Sequence, residues 1–336
     1  MATPRISVLM PCFNHGAFIE DAIASVLGQT LDAAEIIVVD DGSTEPETVD
    51  TLRRLSFPRT TVLHTPNRGL PAARNHAARH AQGALFCALD ADDRLAPQWF
   101  EKAVAALDSD PALAFVSHWF ETFGDEHWIW TPTSCDLPSL LARNTVNGAA
   151  LVRRQAFEAV NGYDEAMRHG CEDWDFWLRL VERGFRGEII PEVLFHYRRT
   201  AASMSRRMIA DDSYRGPLAT LVRKHESAYR AHLIDVLVAK EAEASGVLCQ
   251  ILEMERDLAG VLDRSLRRAT EELHASDAKV RRVRPEQERE AERQRLAWEA
   301  SELKREVTAL RASWSWRITA PLRRAYELLT RRGAGS

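Results

Sequence analysis

Short apolar runs alternate with helical patterns along the N-terminal part of the chain. The apolar runs that predict buried strands lie at residues 6–10, 35–39, 61–63 and 84–89. The segments whose apolar residues recur at helical spacing lie at residues 16–27, 47–55 and 70–82. Strands separated by helices indicate a mainly parallel sheet with helices on both faces, so we expect an α/β fold.

Three of the predicted strands end in polar, flexible segments, at residues 11–14, 40–43 and 90–93. In an open α/β sheet, ligands bind outside the carboxyl ends of the strands. We therefore expect the three segments to form loops of one binding site at a single edge of the sheet.

After about residue 205 the chain becomes rich in charged, helical sequence. Apolar residues follow a 3.5-residue repeat in which only Glu255 is out of place, and the repeat resumes after Pro285, which must break or kink a helix. This predicts an interrupted coiled coil, or equally a long amphipathic helix folded back on the rest of the chain. The repeating positions are Leu248, Leu252, Ala259, Leu262, Leu266, Ala269, Leu273, Leu296, Ala300, Leu303, Val307 and Leu310.

We expect three parts in the chain: residues 1–205 as an α/β domain, 206–312 as a helical, partly coiled-coil extension, and 313–336 as a basic, aromatic, amphipathic tail. Such a tail can lie at a membrane surface. The alternative, which we favour slightly less, is that the tail packs on its own domain or on the partner in a homo-oligomer.

Composition excludes several classes of protein. The net charge of -5 over 336 residues argues against a nucleic-acid partner. The five cysteines are scattered without a CxxC pair, which argues against a disulfide framework or a zinc site and fits a reducing compartment. The sequence shows no signal peptide and no apolar stretch near the roughly 20 residues that span a bilayer. We therefore expect a cytoplasmic protein, with the tail as its candidate contact with the cytoplasmic membrane face.

The acids of the third loop are Asp90, Asp92 and Asp93. Three carboxylates at a strand end repel one another unless something neutralises them, and a hard cation such as Mg²⁺ or Mn²⁺ is the usual partner. Asp92, Asp93 and a later His196 are the candidate metal ligands. Aspartates also form turns and helix caps, which is the alternative interpretation of Asp93.

Two further segments are candidates for nucleotide binding. The carboxylates of Asp40 and Asp41, before the flexible Gly42, can accept hydrogen bonds from a base or ribose, although the same segment can be a helix-capping turn. Arg74 lies about one turn into a helix whose first turn contains Pro71, where it can meet a phosphate or remain solvated.

A pair of acids, Glu172 and Asp173, precedes an aromatic helix. Either carboxylate can take the proton of an acceptor hydroxyl, and neighbouring aromatic residues can raise a carboxyl pKa and wall a pocket. The alternative is that the pair only complements the positive end of the helix dipole. Farther along the chain, Arg198 can neutralise a leaving diphosphate, and His196 can instead be structural.

In order and spacing, these segments resemble the family 2 glycosyltransferases, which have the GT-A fold. The resemblance spans residues 6 to about 200. The matching segments are SVLMPCFN (7–14), SVLGQT (25–30), VDDGS (39–43), NRG (67–69) with ARN (73–75), LDADD (89–93), GYDE (162–165) and GCEDW (170–174).

The resemblance implies inverting transfer of a sugar from a nucleoside diphosphate donor, often UDP-linked, with Mn²⁺ or Mg²⁺ as cofactor. It also implies that Asp173, the second acid of its pair, is the catalytic base, with Glu172 beside it. Asp92 or Asp93 would bind the metal. The residues expected to hold the nucleotide sugar are Pro11, Phe13, Asn14, Asp40, Asp41, Arg74, Asp90, Asp92 and Arg198.

The function that these expectations describe is glycosyl transfer to a hydroxyl of a glycan or lipid-linked acceptor, in bacterial surface polysaccharide synthesis. The alternative is a non-catalytic scaffold that binds a sugar nucleotide and assembles partners through its coiled coil. A nucleotidyltransferase would carry a glycine-rich loop after the first strand, where this chain reads PCFNHG (11–16). A dinucleotide-dependent dehydrogenase would carry GxGxxG there.

Overall fold

A computed structural model describes residues 5–31, 34–200, 203, 206, 208, 211–283 and 286–312. The predicted tail at 313–336 lies outside these residues. The strands are β1 (Ile6–Cys12), β2 (Ala34–Asp41), β3 (Thr60–Thr65), β4 (Leu85–Ala88), β5 (Arg94–Leu95), β6 (Leu113–Gly124), β7 (Ile129–Trp130), β8 (Leu151–Arg153) and β9 (Arg186–Arg199). The helices are α1 (Ile19–Leu27), α2 (Pro46–Arg54), α3 (Leu70–His80), α4 (Trp99–Ser109), α5 (Leu137–Ala142), α6 (Arg154–Ala159), α7 (Glu172–Glu182), α8 (Arg215–Lys224), α9 (Glu226–Ala231), α10 (Leu233–Val283) and α11 (Glu286–Ala312).

All of these strands belong to one mixed sheet in the order β3-β2-β1-β4-β8-β6-β9-β5, with β7 paired to β6. The first four strands in this order are parallel, as are β6 and β9. Only the short strands β5, β7 and β8 pair in the antiparallel direction. The predicted α/β fold with a mixed, mainly parallel sheet is therefore confirmed.

Helices cover both faces of the sheet because successive side chains of a strand point to opposite sides. On one side, Leu9, Ile37 and Phe86 belong to a core cluster with residues of α3, α6 and α7. On the other side, Val8 and Val38 belong to a second cluster with residues of α1 and α4. Burial on both faces explains why these strands are nearly continuous apolar runs.

The contacts of the chain divide it into two compact units, Met1–Ala239 and a second that begins at Lys240. The boundary near residue 205 stays a prediction. α10 ends at Val283 and α11 begins at Glu286, and the helix break predicted at Pro285 lies outside the described residues. Seam positions such as Leu248 and Leu273 are half-buried, and the coiled coil itself stays a prediction.

Among the described residues, every helix is either too short or too polar to cross a lipid bilayer.

Candidate active site

The three predicted loops lie at one edge of the sheet because β1 pairs with β2 on one side and with β4 on the other, all in parallel. Asn14, just after β1, links two of the loops. Its side-chain oxygen accepts from the backbone N–H groups of Thr44 and Glu45 at 2.8 and 3.0 Å, and its backbone N–H donates to Ser43 Oγ. The expectation of a shared edge is therefore confirmed.

The two acids at the end of β2 are buried and hold neighbouring segments. Both carboxylate oxygens of Asp41 accept backbone N–H groups at 2.8 Å, one from Arg68 and one from Gly69, so Asp41 fixes the turn that leads into α3. Asp40 accepts from the backbone of Ser43 and contacts His64 Nδ1 at 3.0 Å. Burial alone would raise the pKa of Asp40, but the hydrogen bonds from His64 and Ser43 outweigh it and lower that pKa.

Arg74 lies at the centre of the site and joins two acids that are far apart in sequence. Its two terminal nitrogens each donate at 2.8 Å, one to Asp90 Oδ1 after β4 and the other to Glu172 Oε1 at the start of α7. The guanidinium also lies 5.3 Å from the ring centre of Tyr163. Because the Arg74 side chain is only 3% exposed, it is a buried bridge between the acids.

The acid pair begins α7, and the preceding residue, Cys171, has a left-handed backbone with φ of 62°. Such a conformation is rare outside glycine and occurs at functional sites. Burial raises the pKa of Glu172 to about 7, because it outweighs the attraction of Arg74. Burial also raises the pKa of Asp173, whose carboxylate accepts from Trp174 N–H at 2.7 Å and from Asn144 Nδ2 at 3.1 Å.

The acids that follow β4 have different surroundings. Burial and the charge of Asp92 raise the pKa of Asp93 well above its usual range, and its carboxylate accepts the Arg198 backbone N–H at 2.8 Å. Burial likewise raises the pKa of Asp92. Among the described residues, the one ion pair of the Asp92 carboxylate is with the half-exposed His15, at 3.6 Å.

A metal ion fits at Asp92, provided that a ligand completes its coordination. No group of three His, Cys, Asp or Glu side chains in the described part of the chain could hold a metal unaided. Mg²⁺ and Mn²⁺ sites in nucleotide-dependent enzymes use one or two carboxylates together with substrate phosphates, which matches the weakly paired Asp92. Asp93 is occupied by the backbone of β9, and His196 contacts Glu121 at 2.8 Å. Asp93 and His196 stay predicted ligands, and the geometry favours Asp92.

The remaining predicted residues surround this centre. Pro11 is buried in β1, whereas Phe13 is 43% exposed. The Arg198 guanidinium lies between the rings of Phe18 and Phe123, at 4.3 and 4.4 Å from their centres. Its Nε donates to the Asp92 carbonyl oxygen at 2.7 Å, which places Arg198 beside the acid loop.

Two residues of the site were missed by the sequence analysis. Asn144, the partner of Asp173, follows α5 in a part of the chain for which the sequence analysis predicts no helices or strands. Tyr163, beside Arg74, was quoted only as part of a motif. No local sequence pattern predicts that an aromatic residue lies next to a buried arginine that is distant in the chain.

The fold and this arrangement of acids, arginine and strand-end loops define a transferase of the GT-A class. A family described as "Glycosyl transferase family 2" matches residues 7–167, and one described as "N-terminal domain of galactosyltransferase" matches residues 137–202. The chain is 31% identical over 217 residues to the "Putative glycosyltransferase EpsE" of Bacillus subtilis (strain 168), covering 61% of this chain and 76% of that protein. The chain belongs to glycosyltransferase family 2 and is a glycosyltransferase.

Two further comparisons cover smaller shares of the proteins matched. The chain is 32% identical over 189 residues to the chondroitin synthase of Pasteurella multocida (strain Pm70), covering 54% of this chain and 19% of that protein. The crystal structure of S. aureus TarS 1-349 in complex with UDP-GlcNAc superposes with a TM-score of 0.51 at 19% identity, covering 60% of each chain. The chain thus spans less than two thirds of either protein, and TarS supports the fold alone.

Proposed function

We propose that this protein transfers a sugar, with inversion, from a nucleoside diphosphate sugar to a hydroxyl of a glycan or lipid-linked acceptor during the synthesis of a bacterial surface polysaccharide. The observation that carries the proposal is the hydrogen-bonded chain from Asp90 through Arg74 to Glu172. These hydrogen bonds hold the acid pair of α7 beside the strand-end loops. A catalytic base needs such a position, next to the site that binds the donor.

Asp173 is the group that we assign as catalytic base. It is more exposed than Glu172, and its pKa is raised toward the range in which a carboxylate accepts a proton effectively. The acceptor oxygen forms a bond to the anomeric carbon while the bond from that carbon to the diphosphate breaks. The acceptor proton passes to Asp173, and the nucleoside diphosphate leaves with the bonding electrons.

The other residues of the site bind and orient the donor. The loops held by Asp40 and Asp41 would enclose the nucleotide, and Asp90 and Asp92 would face the ribose and diphosphate. Asp92 would hold the divalent metal, which supplies Lewis-acid stabilisation of the leaving diphosphate. Arg198, beside Asp92, would add positive charge near the phosphates.

A UDP-linked donor is the first choice, because TarS, which shares the fold, crystallised with UDP-GlcNAc. The Pasteurella relative is named a chondroitin synthase, which favours a growing polysaccharide as the acceptor.

A panel of nucleotide sugars tests the proposal, with purified protein assayed for released nucleoside diphosphate in Mn²⁺ or in EDTA. We expect metal-dependent release from one donor and loss of release in Asp173→Asn. Asp50→Asn is the matched control, since its side chain is 59% exposed on α2. Donor binding by calorimetry without release, even with candidate acceptors present, would favour the sugar-nucleotide-binding scaffold. Normal turnover by Asp173→Asn would refute the assignment of the base.

A further inference from the structure

A second cluster of charged groups lies along α7, outside the site described above. Asp175 is fully buried, and its carboxylate contacts His225 Nε2 at 3.1 Å and Lys224 Nζ at 2.7 Å, both at the end of α8. The same carboxylate receives Arg179 Nε at 2.7 Å. The other ring nitrogen of His225 contacts Glu182 Oε2 at 2.9 Å, so both nitrogens of a buried imidazole face carboxylates.

Apolar packing joins the same segments. Leu221 of α8 and Val236 of α10 are buried in the core cluster that contains Phe176 and Trp177 of α7. At the start of α7, the thiol of Cys171 lies beside the side chain of Tyr214. We call residues 214–236 the brace, since they contact α7 at its start, in its middle and near its end.

The brace contacts the side of α7 that faces away from the proposed base. An α-helix turns about 100° per residue, so residues 171, 175 and 182 share one face. Asp173 is about 200° around the helix axis from Asp175. A tilt or rotation of α7 away from the brace would therefore displace Asp173 relative to the donor.

We propose that Lys224 and His225 are positioning residues for glycosyl transfer, which hold α7 through Asp175 so that Asp173 faces the acceptor. This inference rests on the proposed function of Asp173. It also implies that a working catalytic domain extends beyond the predicted boundary near residue 205, to the end of the brace.

Charge makes the brace sensitive to pH. Burial would lower the pKa of His225, but its bonds to Asp175 and Glu182 outweigh burial and raise that pKa above 6.5. The opposite shift occurs in Asp175, whose pKa falls to about 2 because the bonds from His225, Lys224 and Arg179 outweigh burial. The charged groups facing His225 are thus two acids of α7, with Lys224 and Arg179 sharing one of them.

The direction of the pH effect follows from these shifts. A raised histidine pKa means that the contact is fully formed at low pH and is lost as pH rises through the folded-state pKa. The kcat of the wild-type protein should therefore decline at alkaline pH, because His225 loses its charge there. A separate decline at acid pH is expected because Asp173 becomes protonated.

The test compares His225→Gln with His232→Gln, a control in the same segment whose histidine pairs with the exposed Asp235. With the donor found in the panel, we expect kcat of His225→Gln to fall on the order of 10- to 100-fold, as for a misplaced catalytic group. The Kd of the donor should change less than about twofold, because the nucleotide loops lie on other elements, and the alkaline decline of kcat should disappear. His232→Gln should match wild type.

Kcat within twofold of wild type with an unchanged pH profile in His225→Gln would overturn the inference. Lys224→Met, at the partly exposed edge of the cluster, is the second variant if His225→Gln does not fold, with the same expected loss of kcat and the same overturning result. If the wild-type protein releases no nucleoside diphosphate even with candidate acceptors present, the proposed function fails. Hydrogen exchange then decides on the brace alone: faster exchange of amides 172–175 in His225→Gln supports it, and equal rates overturn it.

Discussion

Replacing Arg74 with methionine tests the buried bridge at the centre of the site. Methionine keeps much of the volume of the side chain and removes its charge and its donors. Glu172 and Asp90 then lose a partner at 2.8 Å, but they differ in burial, since the Glu172 side chain is 8% exposed and that of Asp90 is 36% exposed. The two arms of the bridge should therefore contribute unequally.

The expected loss of stability comes mainly from Glu172. Removing one partner of a buried ion pair costs about 3–5 kcal/mol, because the remaining charge is left buried. Asp90 can be solvated in the variant, so its arm should contribute under about 1 kcal/mol. The pKa of Glu172 is already about 7 with Arg74 present, and removing a positive charge raises it further.

That pKa shift gives the loss a pH dependence. Below about pH 6, Glu172 is protonated in both proteins, so no buried charge is left unpaired and the difference should be only about 1–2 kcal/mol. Above pH 7, wild-type Glu172 ionises against Arg74 while the variant must either keep a proton or bury a charge. The difference should grow by up to about 1.4 kcal/mol per pH unit until it reaches the full cost.

Urea denaturation at pH 5.5 and pH 8.5 measures the difference in the free energy of unfolding between Arg74→Met and wild type. Unfolding is monitored by near-UV circular dichroism, which reports the packing of buried aromatic residues such as Trp177. Arg68→Met is the control, since Arg68 is 63% exposed and lies 3.9 Å from Glu165, and it should cost under about 1 kcal/mol at both pH values. An Arg74→Met loss below about 1 kcal/mol at pH 8.5, or an equal loss at both pH values, would refute the argument from the buried bridge.

Four other substitutions, one of them with a matched control, test separate parts of the structure. Asp92→Ala and Asp173→Asn should each lower transfer on the order of 100-fold or more, while calorimetry with nucleoside diphosphate shows binding retained in Asp173→Asn. Gly42→Ala should raise the KM for the donor and destabilise by about 1–3 kcal/mol, because Gly42 has φ of +71° and a Cβ there would lie 2.6 Å from Asn67 N; Gly246→Ala, with open space around it, should do neither. Gly187→Ala would place a Cβ 2.1 Å from the Phe115 ring, so the melting temperature should fall while donor affinity is unchanged.

Much of the first half of the fold could be predicted because β1, β2 and β4 are buried on both faces and therefore read as apolar runs. The errors were local. We expected the first helix from residue 16, but α1 begins at Ile19, since residues before it turn with Asn14 at φ of 58° and the Gly16 N–H donates to Thr48. β6 and β9 were not predicted. β6 changes from buried to partly exposed along its length and β9 is mostly exposed or half-buried, so neither gives a clear period, and their pairing joins segments far apart in the chain.

For the site, the sequence located the loops but not the partners of their side chains. Parallel strands were sufficient to bring residues 11–14, 40–43 and 90–93 to one edge. The bond between Arg74 and Glu172 joins residues 98 positions apart, and no local pattern indicates such a pair. The same is true of Asn144 and Asp173, which meet only because α5 packs against α7.

The partners of Arg74 bear on where the charge of the leaving diphosphate is balanced. Both of its terminal nitrogens donate to carboxylates and its side chain is only 3% exposed, so the charge of Arg74 is already balanced within the protein. Arg198 is only 13% exposed and lies 3.5 Å from the carboxylate of Asp21, so its charge is partly balanced as well. We therefore expect the main neutralising charge to enter the site with the substrate. Asp92, whose ion pair among the described residues is with His15 at 3.6 Å, is the acid that we expect to hold a divalent metal. We therefore expect metal dependence because of how the acids are already paired, and not only because of their number.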